Sequence, residues 1–416
     1  MQEAFILEMH LKLANLLMKK VAYINQKIDS FNSKIYVPGD KSLSIRWILM
    51  ASQAIGTSVA YNLLKSEDVF SALNAIKKLG INYKLNKKNC KIFGKGLNGY
   101  SFKNNTIINA GNSGTLARLI FGLLVKSKNQ IILKGDKSLS KRDFSRVIKP
   151  MKMFGQNIKS KNQKLPIKIK GTNYPRPINY KESKGSAQVK SCILLAAMKT
   201  PGKTKITSIP SRDHTEKLFK YLKLPINISK EKKIDLISYK GIKNYKGFNY
   251  IIPGDISSSA FFIVLTILTN DSYLILSHIN LNSSRLGIIK ILNKMGANIK
   301  LKNIKNYNGE RCGDIHVKST KNLKSINCPT SLNSSAIDEF LIIFLVAAKA
   351  NGVSFFKNLS ELNQKESPRL KWGSKILNKI GIKNIITNDG IKIYGNPNLK
   401  VEKKIIIKNF LKDHRV

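Results

Sequence analysis

Apolar runs recur along this chain, each behind a short start rich in glycine, serine and charge. The first, Trp47-Ile48-Leu49-Met50-Ala51, follows Pro38-Gly39-Asp40-Lys41-Ser42-Leu43-Ser44-Ile45-Arg46. Gly111-Asn112-Ser113-Gly114-Thr115 precedes Leu116-Ala117-Arg118-Leu119-Ile120-Phe121, and Gly185-Ser186-Ala187-Gln188 precedes a run ending at Met198. Gly254-Asp255-Ile256-Ser257-Ser258 opens Ala260-Phe261-Phe262-Ile263-Val264-Leu265, and Asn333-Ser334-Ser335 leads through Asp338 into the run 340–348. Apolar runs behind Ser/Gly punctuation predict buried helices with capped N-termini. Their spacing of roughly 70–80 residues marks a repeated supersecondary unit. A sixth start, Asp413-His414-Arg415, falls on the same beat, with only Val416 after it.

A second element lies between these starts. Ala75-Ile76-Lys77-Lys78-Leu79-Gly80 leads into Ile81-Asn82-Tyr83, a helix closed by glycine and followed by a strand. Its relatives end at Gly155, Gly296 and Gly381, and a fifth, Lys220-Tyr221-Leu222-Lys223-Leu224-Pro225, has no glycine. Each unit therefore holds two helices and several short strands. Three units around one core make a domain of ordinary size, so the pattern predicts two α/β domains.

Composition narrows the classes. A chain of 416 residues with 42% apolar content can build two cores, and no apolar run reaches membrane-spanning length. The formal charge of +49 is extreme, but its lysines are spread throughout among many Asn and Ile residues. That reads as compositional drift and not as a nucleic-acid footprint, which needs a clustered stripe with aromatic platforms. Cys90, Cys192, Cys312 and Cys328 are isolated, which indicates neither zinc nor a disulfide framework and fits a reducing cytosol. Residues 1–20 are mostly apolar and helix-like, but Glu3 and Glu8 argue against a transit peptide, and the run is too broken for a signal peptide. Strand-like sequence starts at Val21-Ala22-Tyr23-Ile24, which makes Met18 an alternative start.

The starts also carry chemistry. A helix N-terminus offers free N–H groups and partial positive charge, and Lys41 and Arg46 add two full charges to the first one. Taken singly, that stretch is better explained as an ordinary capped helix with solvated charges, and it is the recurrence of the pattern that turns the reading toward an anion site. Gly111 and Gly114 let backbone approach an anion, with Arg118 one turn on. Lys137, Lys141 and Arg142 crowd one loop, for which a solvated loop is an equal explanation. Lys184-Gly185-Ser186-Ala187-Gln188-Val189-Lys190-Ser191 gathers donors suited to a phosphate monoester, and Ser211-Arg212-Asp213-His214-Thr215-Glu216 starts another helix with a cation. His214 lacks a metal-ligand partner at helical spacing and reads as a structural histidine.

Together, residues 38–46, 111–118, 135–142, 185–191, 211–216 and 253–258 resemble the 5-enolpyruvylshikimate-3-phosphate synthases, and the likeness covers about 21–416 in order. The resemblance implies a two-domain enolpyruvyl transferase fold, an inverse α/β barrel in which each domain has three βαβαββ repeats. One domain would be 39–253 and the other 1–38 with 254–416. It further implies transfer of the enolpyruvyl group of phosphoenolpyruvate to shikimate 3-phosphate, on the route to chorismate and aromatic amino acids, by a cytoplasmic monomer with no metal or cofactor. Asp338 would be the base and Glu366 the proton donor, with Lys41 bridging the two substrates. Shikimate 3-phosphate would lie on Lys41, Ser42, Arg46, Ser186, Ala187, Gln188, Ser211, Arg212, Asp338 and Lys365. Phosphoenolpyruvate would lie on Lys41, Asn112, Gly114, Arg142, Gln188, Arg369 and Arg415. Cations contributed by both domains would hold the empty cleft open by repulsion.

The chain departs from the family pattern in three places. Asn363-Gln364 replace Arg-Val, and Pro368 replaces aspartate, which predicts Ser367 as N-cap and Pro368 as first helical residue. The family also continues beyond Asp-His-Arg, so the resemblance implies a sixth repeat cut short and weak activity or none. The rival readings are a UDP-N-acetylglucosamine enolpyruvyl transferase, whose usual loop cysteine has no counterpart between 111 and 142, and a basic nucleic-acid-binding protein or non-catalytic remnant.

Overall fold

The structure, a computed structural model, describes residues 28–231, 233–401, 413 and 415. The expected helix at 1–20, the strand at 21–24 and the sixth repeat therefore lie outside the described residues, apart from Asp413 and Arg415. The five earlier starts open helices α1 (Lys41–Ala51), α2 (Gly114–Leu123), α3 (Ala187–Ala197), α4 (Ile256–Leu268) and α5 (Phe340–Lys349). Ser113 and Ser186 cap α2 and α3 as their hydroxyls suggest, accepting from Leu116 N at 3.3 Å and Val189 N at 3.4 Å. Aspartates take that place in α1 and α4: Asp40 accepts from Leu43 N at 2.9 Å and Asp255 from Ser257 N at 2.7 Å. No side chain caps α5, and Asp338 sits in the turn just before it.

The second helices are Glu67–Lys78, Ser145–Met153, His214–Tyr221, Gly287–Lys294 and Arg369–Lys379. Four stop at a glycine with positive φ, and Lys223 takes up the same left-handed conformation (φ 52°) where the glycine is missing. That common geometry is why five dissimilar sequences end their helices alike.

One plan repeats across the sheets. Thr106–Asn109 runs parallel to Ile131–Lys134 across α2, and the antiparallel strands Ile167–Lys170 and Asn157–Ser160 follow. Asn179–Glu182, Lys203–Ser208, Asp235–Lys240 and Ile226–Lys230 repeat that order across α3. At the first and fourth starts the leading strand comes from elsewhere in the chain: Asn249–Ile251 pairs with Ile55–Tyr61, and Asn32–Ile35 with Tyr273–Asn280. The fifth sheet has three strands, with isolated parallel bridges Lys324↔Asn351 and Asn327↔Phe355 where a leading strand would run.

Two cores result, one built from residues between 43 and 252 and the other from Val37 with residues between 256 and 393. Two chain crossings join these lobes side by side. Asp40 N donates to Pro253 O at 2.8 Å and Asp255 N to Pro38 O at 3.0 Å. Gly39 is required there, because a Cβ would lie 2.0 Å from Asn62 O. The buried pair His214 Nδ1 and Glu310 Oε1, 2.6 Å apart, ties the lobes beside the crossings, so His214 is a structural residue.

Candidate active site

The N-terminal ends of all five helices converge on one cleft of about 1000 Å³ between the lobes. Parallel βαβ connections place the starts of α2 and α3 at the same edge of their sheets, and the strands exchanged between lobes give α1 and α4 the same placement, which is how residues hundreds apart come to share a wall. On the first-lobe side the cleft is lined by Lys41, Ser42, Arg46, Arg118, Arg142, Ser186, Ala187, Gln188 and Arg212. The second lobe supplies Asp255, Arg285, Asp338, Lys365, Glu366, Arg369 and Arg415.

The first-lobe cations are held in place. Arg46 is buried and donates to Thr215 Oγ1 at 2.8 Å, Ser191 Oγ at 3.0 Å and Ser42 O at 3.1 Å. Arg118 donates to Gln188 Oε1 at 3.1 Å and stacks over the Phe144 ring at 5.2 Å. Burial brings each of these two guanidinium pKa values down to about 10, so both stay charged at neutral pH. Arg142 donates to Asn112 Oδ1 at 3.0 Å. Lys41 Nζ stands 3.1 Å from Asp68, while its backbone N–H meets Asp255 Oδ2 at 3.1 Å.

The two candidate acid–base residues share one cation. Arg369 donates to Asp338 Oδ1 at 3.2 Å and to Glu366 Oε2 at 2.5 Å, and Asp413 Oδ2 steadies its Nε at 3.0 Å. Burial opposes ionisation of Asp338, but Arg212, Lys365, Arg369 and Arg415 outweigh it and hold the carboxyl well below the usual range. Burial acts on Glu366 in the same sense, and Arg369 and Arg142 reverse it to a lowered value. The adjacent Glu339 is pushed up by burial, which its neighbours do not overcome. The two lobes meet in opposite charges: Arg212 Nη2 donates to Asp338 Oδ2 at 2.5 Å, and Arg142 stands 3.7 Å from Glu366. The expected mutual repulsion of bare cations is therefore replaced by attraction to these carboxylates.

Three expected residues do not line the cleft. Asn112 acts behind Arg142, and Gly114 passes so close to two guanidiniums that a Cβ would lie 2.9 Å from Arg118 Nη1 and 3.0 Å from Arg142 Nη1. Ser211 Oγ is buried without a hydrogen-bond partner among the described residues. The cap of Arg369–Lys379 is displaced by one residue: Pro368 occupies the cap position, and the Ser367 hydroxyl instead reaches Asp413 Oδ2 at 2.7 Å. Arg118 stood in the second start motif without an assigned role, and Asp255 and Arg285 had none either. A cationic residue one turn into a glycine-rich helix start was the available signal for Arg118.

The sequence family described as EPSP synthase (3-phosphoshikimate 1-carboxyvinyltransferase) matches residues 25–416. A 3-phosphoshikimate 1-carboxyvinyltransferase of Ruthia magnifica subsp. Calyptogena magnifica is 40% identical over 395 residues, covering 95% of this chain and 89% of the relative. One from Legionella pneumophila (strain Lens) is 39% identical over 375 residues, covering 90% and 85%. The solved EPSP synthase of Acinetobacter baumannii superposes with a TM-score of 0.79 at 36% identity, covering 89% of this chain and 83% of that one.

Proposed function

The chain belongs to the EPSP synthase family, and from that premise we propose that the cleft transfers the enolpyruvyl group of phosphoenolpyruvate to the 5-hydroxyl of shikimate 3-phosphate. Both substrates are phosphorylated carboxylates, which suits a pocket walled by cations and helix N-termini. Ser186, Ala187 and Arg212 take the shikimate phosphate, with Ser211 behind them, Gln188 over the ring and Ser42, Arg46 and Lys365 along the same side. Arg142, Arg369 and Arg415 take phosphoenolpyruvate, supported by Asn112 and Gly114, and Lys41 reaches both substrates.

The chemistry divides between the two carboxylates. Asp338, held ionised, accepts the proton of the attacking hydroxyl as the new C–O bond forms at C2 of phosphoenolpyruvate. Glu366, once protonated, delivers its proton to C3, and the methylene becomes a methyl group. The tetrahedral adduct then expels phosphate while a proton leaves that methyl group and restores the double bond. Lys41 and the arginines stabilise the departing phosphate. The observation that carries this reading is the position of Arg369, bonded to Asp338 on one side and Glu366 on the other. We take the protein to be a monomer, since all these groups come from one chain and the reaction calls on no second copy, and four free buried cysteines suit the cytoplasm.

Phosphate release measured with both substrates, and with each alone, tests the assignment. Release that requires both supports it. Release with UDP-N-acetylglucosamine in place of shikimate 3-phosphate would move the chain to the sister reaction, for which no cysteine lines the cleft.

A further inference from the structure

At the floor of the cleft, where the chain crosses between lobes, one lining arginine stands among three carboxylates that come from distant parts of the sequence. Arg285, almost fully buried, donates from Nη1 to Asp40 Oδ2 at 3.2 Å and from Nη2 to Ser257 Oγ at 2.5 Å. Its Nη2 also lies 3.5 Å from Asp255 Oδ1 and 3.8 Å from Glu339 Oε1. Each of these partners controls something else. Asp40 caps α1 through its other oxygen, and Asp255 accepts the backbone N–H of Lys41. Glu339 is the peptide neighbour of Asp338, and its Oε1 also accepts from Ser257 Oγ.

We infer that Arg285 is a positioning residue that fixes the N-terminus of α1, and with it Lys41, against the turn that carries Asp338. The inference rests on the roles given above to Lys41 and Asp338. Its physical basis is electrostatic. Three buried carboxylates around a common point repel one another, and a single cation with a planar fork can hold all three at fixed separations. Asp40 stands on the first crossing, Asp255 on the return crossing and Glu339 in the second lobe, so the fork sets the distance between elements that belong to different cores. Arg285 acts on Lys41 and Asp338 through Asp40, Asp255 and Glu339.

The test compares Arg285→Lys, Arg285→Met and the double variant Arg285→Met/Glu339→Gln, which removes one of the stranded carboxylates. Arg285→Met should lower kcat about a hundredfold, the usual scale for misplacement by about an ångström, with both KM values changed far less. Arg285→Lys should recover part of the loss. In the double variant the melting temperature should climb back toward the parent while kcat stays low. If kcat recovers in step with melting temperature, Arg285 is merely structural and the inference fails. Hydrogen exchange gives a readout independent of turnover: Arg285→Lys should speed exchange at 41–44 and at 338–343 together. A parent chain with no turnover but with that joint response would overturn the proposed function and leave the positioning role standing. Faster exchange confined to 283–289 would overturn the positioning role.

Discussion

Arg369 donates to Glu366 Oε2 at 2.5 Å, three residues back along the chain, and so holds the candidate acid in the form that has already lost its proton. A general acid must carry that proton when substrate is bound. The conflict resolves if phosphoenolpyruvate, by occupying Arg369 and Arg142, removes the two charges that oppose the effect of burial. Glu366 then responds to its buried site, which raises its pKa.

Net proton uptake should therefore accompany binding of phosphoenolpyruvate to the shikimate 3-phosphate complex near neutral pH. Calorimetry in two buffers of different ionisation enthalpy measures it. Glu366→Gln should abolish the uptake; an unchanged value in that variant would remove Glu366 as the group that gains the proton.

Asp338→Asn and Glu366→Gln should each lower kcat by about two to four orders of magnitude, the range for a positioned acid or base. Steady-state phosphate release gives the rates. Turnover within a few fold of the parent in either variant would take that residue out of the mechanism.

Gly114→Ala should spare the fold and damage the site. The added Cβ crowds the flexible ends of Arg118 and Arg142, at 2.9 and 3.0 Å, and makes ordinary contact with Leu139 Cδ1 at 3.9 Å, so the guanidiniums can move aside. Melting temperature should hardly change, while KM for phosphoenolpyruvate should rise roughly tenfold, about 1.4 kcal/mol. A variant with unaltered KM would show that these guanidiniums need not stand where they do.

Lys199 gives a stability test away from the cleft. It is buried, donates to Leu123 O at 2.6 Å and lies 4.8 Å from the Tyr100 ring. Burial lowers its pKa from 10.5 to about 7, so between those values the unfolded chain binds more protons than the folded one. Its contribution to stability accordingly improves as pH rises from 7 to 10.5, and the cost is complete below 7. Lys199→Met should stabilise the protein at pH 6 by on the order of 1–3 kcal/mol, after allowing for the lost hydrogen bond. The gain should shrink toward pH 10. Denaturant titrations at the two pH values check this, and a variant less stable at both would refute it.

Local pattern made the helix starts legible, because an apolar run behind a capping residue is a complete physical statement about one segment. The Lys223 terminus shows the limit of that reading: its backbone matches the glycine ends, yet no residue type announces it. Ser367 reads as a cap in the sequence but does not act as one, because its hydroxyl is claimed by Asp413, 46 residues later. Arg285 was invisible for the same reason, since its partner Asp40 is 245 residues away. Asp338 and Glu366 came from resemblance alone. Nothing in an isolated Ile-Asp-Glu or Lys-Glu-Ser tells that both carboxylates will meet one guanidinium.

The exchange of leading strands between the lobes also orders events during synthesis. Residues 32–35 emerge from the ribosome early, but the strand they pair with, beginning at Tyr273, lies 241 residues further on. At about 5–20 residues per second that is a wait of roughly 12 to 50 s. In the interval the whole of 39–253 is made and can close around its own core. Until then the segment at 32–35 lacks the strand that satisfies its backbone donors and acceptors in the folded protein. A strand translated 241 residues ahead of its partner is thus among the later ones to find its place.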